Sequence, residues 1–249
     1  MRSSCRLYPR PLATAALVVA AMICCVLANA QEVTVTARAA VAGSGKKAKP
    51  QDASNAVIWL MPAEGTVLPA WSPTSTPRPR LVQKNKSFWP HVLVVHVGSQ
   101  VEFPNRDPFF HNVFSLFEGK RFDLGLYEAG STREVLFDKQ GVSFIFCNIH
   151  AEMSAVIIAV NTPYFAVSNS RGELVIPNVL PGRYLLHMWN EGVQQDALNA
   201  LTRSITVSEA SSTLGLLRLP ASSPPPSHKN MYGKDYTPPA PGSPTYEHP

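Results

Sequence analysis

Cysteine is nearly absent from the body of this chain. Of its four Cys, Cys5, Cys24 and Cys25 lie near the start, and only Cys147 lies beyond. With no partner for an intramolecular disulfide, Cys147 is left as a buried inert thiol, an intermolecular link or a ligand. A 3.6-residue apolar repeat is missing as well, so the alternating and β-branched runs point to an all-β chain of short strands. Clustered positive charge is scarce. The formal net charge is +5, but Arg2, Arg6 and Arg10 contribute three of those charges near the start, leaving +2. Lys46, Lys47 and Lys49 cluster within a Gly- and Ser-containing stretch that reads as a solvated loop. This distribution excludes a nucleic-acid-binding face.

Both ends read as lying outside the fold. The apolar run from Leu12 to Leu27 follows the three Arg and ends in Ala28-Asn29-Ala30. That is a secretory signal over residues 1–30, cut before Gln31, because the run is short for a bilayer and the small-residue site favours removal. The remainder is expected to be periplasmic or secreted, with no stable membrane span after cleavage. Residues 220–249 hold nine of the 23 Pro with Ser, Gly and scattered charge. Such a composition buries too little apolar surface to offset chain entropy, so a disordered tail is expected, with His228 and His248 solvated.

Between the ends, residues 32–37 alternate as a half-buried strand, and Ala56 to Met61 is an apolar run stopped by Pro62. Residues 67–79 read as a Pro-rich linker. From Arg80 onward, strands are expected at 81–85, 91–97, 101–103, 135–137, 142–147 and 154–160. Residues 116–131 read as a polar excursion punctuated by Gly119, Gly125 and Gly130. Pro104-Asn-Arg-Asp-Pro108 is turn chemistry, since Pro presets φ and Asn and Asp bond their own backbone. Further strands fit 164–167, 174–176, 183–189, 204–207 and 213–217, and residues 191–203 allow a short helix.

The stretch Cys147-Asn-Ile-His150-Ala-Glu-Met153 changes the reading of the lone Cys. It places a thiol, an imidazole and a thioether in one tight loop, three of the four ligands of a blue-copper site. His111, after the turn at 104–108, is available as the fourth. Glu152 is the alternative axial ligand and would give a harder, red-copper site. His91 and His96 are an odd number of residues apart, on opposite faces if they share a strand, and cannot both reach one metal. His187 has no partner in sequence. Phe109 and Phe110 read as core or as an apolar rim of the site. No His-x-His pairs exist for a trinuclear cluster, and no second Cys for a binuclear centre. No nucleophile or paired-carboxylate constellation stands out either, so no enzyme activity is expected.

Residues 80–161 resemble the cupredoxins, through Val94-Val-His-Val-Gly98, Val101-Glu-Phe-Pro-Asn105, Phe110-His-Asn-Val113, Gly141 to Cys147, and His150 and Met153. The loop spacing is that of amicyanin, and the chain is most similar to the plastocyanin-like methylamine-utilisation proteins. The resemblance implies a Greek-key β-sandwich holding one copper, with His111, Cys147 and His150 equatorial and Met153 axial. It also implies that Asn112 ties the two ligand loops together and aims a backbone N–H at the sulfur. Where amicyanin and plastocyanin have Pro before the second His, Ile149 stands here and keeps its N–H. Residues 162–219 resemble the small transthyretin-like sandwich of carboxypeptidase regulatory domains, through Asn169-Ser-Arg-Gly172 and Leu180-Pro-Gly-Arg-Tyr184. Residues 31–66 would supply its first strands, which makes the cupredoxin an insertion; a tandem order is the alternative.

The function expected from these residues is an exported one-electron carrier cycling Cu(I)/Cu(II). Its partners are redox proteins, and electrons enter at His150. A copper-storage or copper-delivery protein would use the same ligands, and a structural β-sandwich with a merely buried Cys147 is a third reading.

Overall fold

A computed structural model describes residues 31–43, 52–72, 77–116, 119–223 and 228–236. The signal segment, Lys46, Lys47, Lys49 and His248 lie outside the described residues. No helix among those described is long and apolar enough to cross a membrane.

The molecule is nearly all β. In chain order the strands are β1 (Val33–Val41), β2 (Val57–Pro62), β3 (Val82–Lys84), β4 (Ser87–Trp89), β5 (Val92–His96), β6 (Ser99–Pro104), β7 (His111–Ser115) and β8 (Phe122–Tyr127). They continue with β9 (Thr132–Phe137), β10 (Gly141–Cys147), β11 (Ser154–Val160), β12 (Phe165–Val167), β13 (Glu173–Val179), β14 (Gly182–Trp189), β15 (Arg203–Val207) and β16 (Thr213–Leu219). One helix, α1 (Gln195–Ala200), interrupts them among the described residues.

Two sets of sheets result. The first has a five-stranded sheet in the order β5-β11-β10-β7-β8, with β6 paired to β9 and β3 to β4. Parallel bridges from Arg80 to Glu102 and from Gln83 to Asn105 join the hairpin to β6. In the second set β1 lies between β13 and β16, while β2 lies between β12 and β14, with β15 outermost. Thus β1 and β2 pair with strands beyond residue 162, not with the strands of residues 80–160.

Alternation along the five-stranded sheet explains its composition. In β11, Ala155, Ile157 and Ala159 face one core with Phe103, Phe137 and Ile145, whereas Val156, Ile158 and Val160 face the other with Leu60, Tyr164 and Leu186. Strand β5 divides likewise, Val95 inward and Val92 and Val94 outward. Both faces are covered, so these strands read as continuous apolar runs and not as alternating ones.

The polar excursion expected at 116–131 contains β8, which pairs with β7. Its signal is broken by Asp123 and by Gly125 at φ +64°, opposite a register shift between Asn112 and Phe114. Asp123 Oδ1 accepts from Gly125 N–H (2.9 Å) and from Asn112 Nδ2 (3.0 Å), so the irregularity is held by its own side chain.

His91, just before β5, meets Glu191, in the turn after β14, at 2.6 Å. That bond raises the His91 pKa above its ordinary 6.5, against partial burial. A raised folded-state value stabilises the fold in full below the unfolded value, and the contribution is lost as pH rises through the folded one. At this exposure it is worth no more than about 1 kcal/mol. The melting-temperature advantage of the wild type over His91→Gln is expected to be largest below about pH 6.5 and to shrink as pH rises above it. A difference independent of pH would contradict the pairing.

Candidate metal centre

The end of β10 and the start of β7 bring the site together. These strands are neighbours, with Cys147 opposite Val113. The loop after Cys147 returns into β11 through two backbone bonds, Met153 N–H to His150 O (3.1 Å) and Cys147 N–H to Met153 O (3.3 Å). Asn148 N–H donates to Asn112 O at 2.8 Å, so the two loops are tied by main chain. The Asn112 side chain turns instead to Asp123.

The ligand-capable atoms of His111, Cys147 and His150 lie within 4.8 Å of one another, and all three residues are buried. Cys147 Sγ is 3.6 Å from His111 Nδ1 and 3.5 Å from His150 Nδ1. Met153 is fully buried in the same apolar core as Cys147. Glu152 is exposed and stands outside the cluster.

The electrostatics suit a thiolate held by a cation. Burial pushes the Cys147 thiol up, while the backbone N–H groups of Ile149, Asn112 and His150 bond the sulfur and pull the other way. Ile149, which unlike a Pro keeps its N–H, therefore contributes a donor. Burial also lowers the His111 pKa, and burial together with the neighbouring His111 brings His150 down to about 4. Both imidazoles are neutral near pH 7 with a lone pair to offer, which is the form a metal binds.

Asp107 completes the arrangement and was hidden in the sequence. Its Oδ2 sits 3.0 Å from His111 Nε2, the nitrogen facing away from the sulfur. A carboxylate there fixes Nε2–H and leaves Nδ1 as the free donor atom. The same carboxylate, 4% exposed, accepts from the N–H groups of Asn85 and Lys86. Those two residues form the β3–β4 turn, both at positive φ (54° and 50°), the signature of a tight hairpin.

Phe109 lies over both imidazoles, 5.3 Å from the His111 ring and 5.4 Å from the His150 ring. The loop of His150 reaches the surface through Ile149 (40% exposed), Ala151 and Glu152, while the His150 ring itself is buried at 5%. His91 pairs with Glu191, His96 stacks on Trp71 at 4.1 Å and His187 on Trp59 at 5.2 Å, all away from the cluster. The tail also departs from expectation. Residues 228–236 are seated against the Cys147 loop, and the His228 ring stacks on Phe146 at 4.1 Å. Their sequence carries no apolar pattern that would announce such docking.

Comparison with known families matches residues 159–215 to polysaccharide lyase family 4, domain II, a different description from the transthyretin-like sandwich expected there. No curated protein matches. Among solved structures, the chain is similar to a copper-containing nitrite reductase from Thermus scotoductus SA-01 at 25% identity, over 34% of this chain and 22% of that one (TM-score 0.32). It thus spans about a fifth of that enzyme. It is similar to a purple cupredoxin from Nitrosopumilus maritimus at 21% identity, over 33% of this chain and 99% of that one (TM-score 0.30). An oxidised amicyanin variant matches at 16% identity, over 36% and 90% (TM-score 0.32). The architecture given above rests on strand order and burial, independently of these likenesses.

Proposed function

We propose that this chain is an exported mononuclear copper protein of the type 1 class and acts as a one-electron carrier. The observation that carries the reading is the convergence of the buried His111, Cys147 and His150, whose ligand-capable atoms lie within 4.8 Å of one another. In this reading those three residues and Met153 would hold copper, and Glu152, exposed, stays out. Copper bound there supplies a Cu(I)/Cu(II) couple.

The chain's own residues do the rest. Asp107 holds His111 in one tautomer, the Asn112–Asn148 backbone bond fixes the spacing of the loops, and Phe109 keeps water from the imidazoles. A site already shaped this way changes little with oxidation state, which favours a carrier over a protein that must open to release metal. Phe110 and Ile149 offer a partly apolar surface beside the ligands where a redox partner docks.

Export through residues 1–30 and a cupredoxin of residues 80–161 inserted into a second sandwich of 31–66 and 162–219 belong to the same proposal. The pairing of β1 with β13 and β16, and of β2 with β12 and β14, supports that organisation.

Purified protein given Cu(II) is expected to turn intensely coloured at one equivalent, bleach with reductant and recover with oxidant without losing metal. Loss of the metal to a weak chelator on each reduction would favour storage or delivery, and a colourless protein would remove the copper reading.

A further inference from the structure

We propose that residues 228–236 are a built part of this centre, a strap that grips the Cys147 backbone and controls access to the thiol, with Tyr236 as its positioning residue. Only its copper consequences rest on the function proposed above.

Three consecutive residues of the ligand strand and loop are each held by a different residue of the strap. The His228 ring stacks on Phe146 at 4.1 Å and 25°. Tyr236 Oη donates to the Cys147 carbonyl oxygen at 2.7 Å. Met231 N–H donates to Asn148 Oδ1 at 2.9 Å. Phe146 points away from Cys147 in β10, because side chains alternate along a strand. The strap therefore covers the back of the ligand strand, while Phe109 covers the imidazoles.

The segment is also braced internally. Asn230 Oδ1 accepts from the N–H groups of Tyr232 and Lys234, Asn230 N–H donates to Lys234 O, and Gly233 N–H donates to Asn230 O. Lys229 and Asp235 approach at 3.5 Å. Its two ends meet where Tyr236 Oη lies 3.1 Å from His228 Nδ1. Since the tyrosine proton is committed to the Cys147 carbonyl, the second bond runs from His228 Nδ1–H to Tyr236 Oη. A relay of two hydrogen bonds thus ends on the peptide of the Cys.

The outer surface of the strap is Lys229, Tyr232, Gly233, Lys234 and Asp235, all exposed. Docked, it sets a polar face over an aromatic ring. Lifted, it frees the backbone from Phe146 to Asn148, so that the ligand loop can open and expose a sulfur that is completely buried while the strap is docked.

The test compares the full chain, Tyr236→Phe, and a chain ending at Ser223. The first readout needs no metal: the rate at which iodoacetamide alkylates Cys147, read by mass spectrometry of the peptide that carries it. Truncation is expected to raise that rate by at least about tenfold, and Tyr236→Phe by about fivefold, the equivalent of one hydrogen bond. Equal rates in all three would overturn the strap. If the truncated chain does not fold, Tyr236→Phe decides alone. The second readout is the reduction potential of copper-loaded Tyr236→Phe at unchanged melting temperature. Removing the donor leaves the Cys147 peptide more electron-rich, so the potential is expected to fall; an unchanged potential would limit Tyr236 to packing and overturn its positioning role. A protein that binds no copper but shows the alkylation differences would refute the carrier and keep the strap.

Discussion

Replacing Cys147 by Ser is expected to abolish the visible colour of the copper-loaded protein while leaving a folded chain. Serine nearly matches cysteine in volume, and the three N–H groups from Asn112, Ile149 and His150 still find an acceptor. What is lost is the soft, polarisable donor that selects copper and gives the intense absorption. Affinity is expected to fall by more than the roughly 10- to 100-fold that loss of an outer-shell partner costs. The measurement is a Cu(II) titration followed optically and by competition with a chelator, alongside a thermal melt. Retention of the band in Cys147→Ser would show that the colour arises elsewhere.

The second large effect is expected at Asp107. Replacing it by Ala strips an acceptor from the buried His111 Nε2–H and from the N–H groups of Asn85 and Lys86 at the more exposed hairpin turn. Hydrogen bonds to a charged group are each worth about 1.5–3 kcal/mol, and the one from the buried His111 Nε2–H is the one that water cannot replace. A loss of about that size is expected in denaturant unfolding. Copper affinity should fall a further 10- to 100-fold or so, because His111 is free to rotate or to present the wrong nitrogen. Asp107→Asn keeps one acceptor oxygen and should recover much of the stability but little of the affinity. Equal effects of the two variants on both quantities would mean that Asp107 acts on packing alone.

The contrast between Asp107 and Cys147 shows where the sequence was informative. Cys147, His150 and Met153 are separated by fixed short steps in one loop, so their chemistry can be read from spacing, and His111 follows a recognisable turn. Asp107 belongs to that same turn, where an Asp is expected to bond its own backbone. Its partners include the Asn85–Lys86 turn, some 20 residues earlier, and no local pattern encodes that pairing. Strand β8 was hidden because Asp123 and Gly125 are turn-forming types, here used to build a bulge inside a strand. The strap was hidden for a related reason. Composition measures how much apolar surface a segment can bury, whereas residues 228–236 are seated by one ring stack and two directed hydrogen bonds. Conversely, the apolar run Ser154–Val160 was legible as a strand, but only the second core explains why neither of its faces is polar.

The most direct test of the account is X-ray absorption at the copper edge of the protein loaded with one equivalent of Cu(II). A coordination shell of one sulfur close to the metal and two imidazole nitrogens is predicted, assigned to Cys147, His111 and His150. A shell of nitrogen and oxygen without that sulfur would contradict it.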